Sequence, residues 1–108
     1  MTIVLGLDIG TTTITSMAIE TATGHILAST TQTNQAQTCR PGCDSIGRSE
    51  WDAAVIMAGV GECLATVTEQ LGSRTSQVLG LGLTGQQHGV ILVDTHGEPC
   101  SPYINWQD

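Results

Sequence analysis

Phenylalanine and lysine are absent from this chain, and two tryptophans and one tyrosine are its whole aromatic content. A core without Phe has to be assembled from Val, Ile, Leu, Met and Ala. Three arginines face ten acidic residues, for a formal net charge of −7. With no basic surface to neutralise phosphates, the balance argues against nucleic acid or an anionic membrane as a partner. Any phosphate ligand would need backbone amides and a metal rather than a lysine cradle. The N-terminus lacks a basic segment followed by an apolar stretch, so no secretory signal is expected. No apolar run approaches the roughly 20 residues that span a bilayer. The four cysteines, Cys39, Cys43, Cys63 and Cys100, have no framework-like spacing and read as reduced thiols of a cytoplasmic protein. Cys39-Arg-Pro-Gly-Cys43 has the form of half a zinc site, but no second ligand pair completes it; the alternative is an incidental loop pair.

What is present suits one folded domain. A chain of 108 residues with 40% hydrophobic content can bury a single modest core and is not composed like a disordered segment. Near its start, Ile3-Val4-Leu5-Gly6-Leu7 reads as a buried strand. The strand ends in a lone carboxylate, Asp8, followed by Gly10, Thr11, Thr12 and Thr13, and a second β-rich run spans Ile14 to Ile19. A hairpin of this kind over residues 5–16 suits a metal-bound phosphate. Gly10 lets the backbone come close, hydroxyls and turn amides can donate to phosphate oxygens, and Asp8 can hold Mg²⁺ directly or through water. The alternative is a tight β-turn whose Asp bonds its own backbone.

Further along, Thr21-Ala22-Thr23-Gly24 is a turn signal and His25 to Thr33 resumes a strand pattern, which predicts a three-stranded antiparallel meander. Residues 33–49 lose all periodicity and read as a loop. A helix is predicted over 49–72, with Ser49 as N-cap, Asp52 completing a weak capping box and Gly72 as the stop. Met57, Val60, Leu64, Val67 and Leu71 recur at spacings of three and four as one apolar stripe, with Trp51, Val55 and Ala58 beside it at the start. Gly59 and Gly61 weaken the helix unless they mark close packing on a sheet. Val78 to Leu83 and Val90 to Val93 are apolar strands, Asp94-Thr95-His96-Gly97 is a turn, and Pro99 to Trp106 is extended.

The order β-β-β-α-β followed by a hairpin predicts an α/β fold of ribonuclease H-like arrangement. The helix carries the chain back to add a strand parallel to the first, giving a mixed sheet with one long helix. In open sheets of that kind ligands gather at strand ends where the order switches. Asp8 with its turn and the segment 85–89 fall at such ends. Gly85-Gln86-Gln87-His88-Gly89 places two amides and an imidazole between flexible glycines, a neutral donor and acceptor set that suits a polyhydroxylated ligand. A polar hairpin loop with a surface histidine is the alternative. Trp106 either stacks on a sugar face or covers an edge of the core.

Taken together, these segments resemble a known family. Leu7-Asp8-Ile9-Gly10-Thr11-Thr12 looks like the first phosphate motif of the sugar kinase, heat-shock chaperone and actin superfamily. Gly82-Leu83-Thr84-Gly85-Gln86-Gln87-His88-Gly89, followed by Ile104-Asn105-Trp106-Gln107-Asp108, is similar to the start of the FGGY carbohydrate kinases. The likeness is greatest to the xylulokinases and sedoheptulokinases, and it runs from Thr2 to Asp108. It implies an incomplete actin-like ATPase core and an ATP-dependent ketose kinase using Mg²⁺. Asp8 would support the metal and the transferring phosphoryl group. Gly10, Thr11, Thr12 and Thr13 would face the ATP phosphates, and Gln86, Gln87, His88, Trp106 and Asp108 (loop 85–89 and segment 104–108) would line the sugar pocket. Ketose kinases usually carry Met where Gln87 stands, and the Gln107-Asp108 pair leans towards the sedoheptulokinase-like members.

Family members are several times longer, and their proton-accepting aspartate and adenosine-holding domain come beyond position 108. The expectation is therefore an N-terminal portion of a sugar kinase, inactive alone, with uncovered apolar surface that favours self-association or homo-oligomers. Two other readings remain: a chaperone-like or filament-forming ATPase sharing only the phosphate hairpin, and an activator ATPase of the radical dehydratase type holding an iron–sulfur cluster by its cysteines.

Overall fold

A computed structural model describes residues 1–36, 50–86 and 89–104. The chain opens with β1 (Ile3–Ile9), β2 (Thr13–Glu20) and β3 (Ile26–Thr33), paired antiparallel in sequence. Gly24 closes the second connection in the left-handed region, at φ 75°, and donates its N–H to the Glu20 carbonyl at 2.8 Å. A two-residue strand β4 (Glu50–Trp51) leads into helix α1 (Ala53–Leu71), which returns the chain to β5 (Val78–Gly85). Strand β5 runs parallel to β1, so the sheet is mixed with order β3-β2-β1-β5. A second small sheet pairs β4 with β6 (Tyr103–Ile104).

The alternation of strand side chains fixes which face meets the helix. Ile3, Leu5, Leu7 and Ile9 of β1 and Ile14 and Ala18 of β2 share the helix side. Ile3, Ala18 and Ala28 pack against Val67 and Leu71, while Leu7 and Ile14 pack against Val60 and Cys63. The core is thus aliphatic, as the lack of Phe requires. Gly59 lets the helix approach, since a Cβ there would lie 3.0 Å from the Ile14 Cδ1; Gly61 faces open space and has no packing role. Cys63 is fully buried and donates its thiol to the Ile14 carbonyl at 3.5 Å. Burial, and secondarily the neighbouring Glu62 charge, pushes that thiol above its ordinary value.

Helix α1 departs from the expected start. It begins at Ala53 and not at Ser49, and its cap is Asp52, whose carboxylate accepts from the Ala54 and Val55 amides at 2.9 and 3.3 Å. Ser49 lies outside the described residues. The cause is Trp51, which is buried and extended against Tyr103 in the small sheet instead of starting the helical stripe. Met57, Val55 and Ala58 are exposed, so the buried face is Val60, Cys63, Val67 and Leu71. The C-terminus is as expected: Gly72 caps at φ 61° and donates to the Thr68 carbonyl. By length and composition alone the helical stretch Ala53–Gln77 reaches what a bilayer crossing needs. It nevertheless packs one face on the sheet and carries Glu62 and Glu69 on exposed positions.

The strand expected over Val90 to Val93 reduces to isolated bridges, Val90 to Ile104 and Val93 to Pro99. Proline lacks the N–H that a ladder needs, and Pro99 and Pro102 both fall on the pairing segment. Leu92 donates instead to the Ser101 hydroxyl at 2.9 Å. The turn at Asp94 is formed, with its carboxylate accepting from the His96 and Glu98 amides at 2.8 and 3.0 Å.

Helix α1 covers β1, β2 and β3, and leaves the edge strand β5 bare, so Leu79 is 76% and Leu83 65% exposed. Leu71, at 3%, sits in the closed part of the core. Leu71→Ala is expected to lower the free energy of unfolding by about 2–5 kcal/mol in chemical denaturation, through lost transfer energy and a residual cavity. Leu79→Ala should change it by no more than about 0.5 kcal/mol. Equal losses for the two would contradict this core.

Candidate phosphate and sugar site

Parallel pairing of β1 with β5 brings two strand ends side by side. Asp8 is opposite Thr84, Ile9 is opposite Gly85, and the Gln86 amide donates to the Ile9 carbonyl at 3.1 Å. The Asp8 turn and the segment that starts at Gly85 therefore share one edge of the sheet.

Asp8 belongs to β1 itself, between Thr15 on β2 and Thr84 on β5. Its carboxylate is exposed and makes no hydrogen bond or ion pair among the described residues, so the tight turn closed by an Asp side chain is not what forms. It opens on a trough of about 370 Å³ on the sheet face away from α1. Gly6 and Gly82 are paired in register there and add no side chain to it, while Thr15 and Met17 of β2 line it beside them.

The turn after β1 is tight. The Gly10 amide donates to the Thr13 carbonyl at 2.9 Å, and a Cβ on Gly10 would lie 2.8 Å from that same oxygen. Only glycine fits without moving the backbone. The amides and hydroxyls of Thr11 and Thr12 make no hydrogen bond among the described residues and remain available to an acceptor.

One residue of this site was not singled out from the sequence. Asn34, immediately after β3, is buried at 8% exposure. Its Nδ2 donates to the Gly10 carbonyl at 2.9 Å and its backbone amide donates to the Thr12 carbonyl at 2.8 Å. The sequence signal was available but faint: Asn directly after a strand favours an Asx turn, and Asn34 Oδ1 does accept from the Ala36 amide at 3.2 Å.

On the other side of the edge, a largely apolar cleft of about 410 Å³ lies between α1, the end of β5 and β6, lined among others by Ile56, Leu83, Gln86 and Tyr103. Gly89 has a specific role here, because a Cβ would collide with the Tyr103 ring. Gln86 is half-buried in that cleft. Gln87, His88, Trp106 and Asp108 lie outside the described residues, as do Cys39 and Cys43. Cys63 is on the buried face of α1 and Cys100 is exposed, and no group of three or more metal-ligating side chains occurs among the described residues.

The donor set fits Mg²⁺–ATP phosphates. An exposed carboxylate with no partner among the described residues stands next to a tight Gly-Thr-Thr turn with spare N–H and O–H donors, and the described arginine, Arg74, is occupied at the far end of α1 by the Leu71 and Gln70 carbonyls.

A β-β-β-α-β mixed sheet with a carboxylate and a Gly-Thr turn at the end of its first strand defines the actin-like ATPase class. The family model of the FGGY carbohydrate kinases, N-terminal domain, matches residues 3–108. The chain belongs to that family. It is 31% identical over 106 residues to a xylulose kinase of Streptomyces rubiginosus, covering 98% of this chain and 20% of that protein. A sedoheptulokinase of Mus musculus is 31% identical over 95 residues, 83% of this chain and 19% of its own length. Among solved structures, a "xyloylose kinase" from Brucella ovis superposes with a TM-score of 0.85 at 27% identity, over 98% of this chain and 21% of that one. The chain thus spans about a fifth of the length of the curated relatives it matches.

Gly10→Ala is expected to destabilise the folded chain by about 1–3 kcal/mol through overpacking against the Thr13 carbonyl. Amide exchange over residues 10–13 should quicken at the same time. An unchanged exchange rate there would contradict the tight turn.

Proposed function

We propose that this chain is the N-terminal portion of an ATP-dependent ketose kinase, contributing the phosphate turn and part of the sugar pocket. The observation that carries this reading is the shared sheet edge, with Ile9 opposite Gly85 at the ends of two parallel strands. In this reading Asp8 orients the divalent metal and Thr11 and Thr12 donate to phosphate oxygens, with Gly10 keeping the backbone close. Gln86, Gln87 and His88 bind sugar hydroxyls, Trp106 stacks on the sugar, and Asp108 lines its pocket. Thr13 completes the phosphate side at the start of β2. Mg²⁺–ATP would supply the transferable phosphoryl group and offset its developing charge.

Phosphoryl transfer depends mainly on positioning, electrostatic stabilisation and exclusion of water. One turn and one side of a pocket, both open to solvent, do not meet those demands. The isolated chain of 108 residues is therefore proposed to lack activity. Its sugar is proposed to be a ketose, with xylulose and sedoheptulose the first candidates because those are the sugars in the names of the relatives.

In the full-length protein, Asp8→Asn should reduce ketose phosphorylation at least about 100-fold while sugar binding persists. His88→Ala should raise the sugar KM far more than the MgATP KM. Coupled assays with xylulose, ribulose, sedoheptulose and glycerol measure both. Full activity of Asp8→Asn, or robust phosphorylation by the isolated chain, would contradict the proposal.

Strand β5 supports a second expectation for the isolated chain. It is an edge strand without a charged residue, and its leucines are exposed. Such edges pair readily with other copies. Sedimentation of the isolated chain should reveal concentration-dependent association, whereas a monodisperse monomer across the concentration range would rule it out.

A further inference from the structure

We propose that Asn34 is a positioning residue that holds the Gly10–Thr12 turn in its phosphate-facing form and ties it to the start of helix α1. The proposal rests on the reading of that turn as the nucleotide-phosphate site, and adds to it a residue outside the phosphate motif.

Asn34 engages backbone through its side-chain nitrogen, its side-chain oxygen and its own N–H. Its Nδ2 donates to the Gly10 carbonyl at 2.9 Å, its amide donates to the Thr12 carbonyl at 2.8 Å, and its Oδ1 accepts from the Ala36 amide at 3.2 Å. Carbonyls of the turn thus point inward to Asn34. Within a trans peptide the N–H points opposite the carbonyl, so holding the Gly10 carbonyl inward turns the Thr11 amide outward. This amide makes no bond among the described residues and is left for a ligand; the Thr12 amide likewise makes none among them. The connection continues outward. The Ala36 carbonyl accepts from the Asp52 amide at 2.8 Å, and the Asp52 carboxylate caps α1 through Ala54 and Val55. Four short steps, all hydrogen-bonded, join the turn to the helix that carries the core. A turn of glycine and three threonines has little rigidity of its own, and a buried side-chain amide bonded through both its nitrogen and its oxygen supplies what it lacks.

Asn34 reaches neither the Asp8 carboxylate nor the cleft beside Gln86, so it acts only through the turn. A shorter or acidic side chain would leave the Gly10 carbonyl without its donor while the fold of the sheet persists. Asn34→Ser and Asn34→Asp in the full-length protein test this, the second retaining an oxygen for the Ala36 amide. Both are compared with wild type by hydrogen exchange over residues 10–13 and by binding of MgADP and of adenosine. Faster exchange at the turn, MgADP affinity weakened about tenfold (about 1.4 kcal/mol), and unchanged adenosine affinity and sugar KM are expected. Equal losses for MgADP, adenosine and sugar would mark Asn34 as a general structural residue and overturn the proposal. Unchanged exchange would overturn it too, whatever the nucleotide affinity does. Faster exchange in the variants, with no MgADP binding by wild type, would instead overturn the phosphate reading on which the proposal stands. Should Asn34→Asp fail to fold, because a buried carboxylate is costly, the neutral Asn34→Ser alone decides.

Discussion

The parallel ladder between β1 and β5 is the constraint on which the rest depends. Two strands adjacent in the sheet but far apart in sequence end at the same edge, and each ends in a segment of the proposed site. Asp8 and the Gly-Thr turn finish one strand; Gly85 and Gln86 finish the other. Parallel pairing needs a long crossover, and α1 provides it. The helix is held mainly by aliphatic side chains, from Ile3 and Ala18 at one end to Leu7 and Ile14 at the other. Any slip of that ladder by one residue would send Asp8 to the helix side and bury its carboxylate.

The proposed phosphate side and the proposed sugar side differ in how they are built. The turn after β1 is fixed by backbone and by neutral donors, with no cation beside it among the described residues. That is consistent with a chain of net charge −7, in which attraction for phosphate must come through a metal rather than a basic patch. The cleft beside Gln86 is mostly apolar, with few polar groups, which suits orientation of a small ligand more than electrostatic capture.

Much of this was legible in the sequence. The opening strand, the meander, the Gly72 stop and the parallel return follow from periodicity and turn chemistry, because each is decided by residues close in the chain. The family likeness of Asp8 to Thr12 and of Gly85 to Gly89 was legible for the same reason. The start of α1 was not. Ser49 and Asp52 both have capping chemistry, and only the burial of Trp51 against Tyr103, a contact across 52 positions of sequence, selects Asp52. The Val90 to Val93 strand failed on its partner, since Pro99 and Pro102 remove donors on the opposite side. Asn34 was only faintly legible, for a related reason. In sequence it opens a polar loop, and its value lies in reaching a turn 24 residues earlier.

The structure of the full-length protein with MgADP and xylulose tests the shared sheet edge most directly. The β-phosphate should lie against the amides of Thr11 and Thr12 with the metal beside Asp8, and the sugar against the segment from Gln86 onward. Either ligand bound away from these two strand ends would contradict a single site built on the β1–β5 ladder.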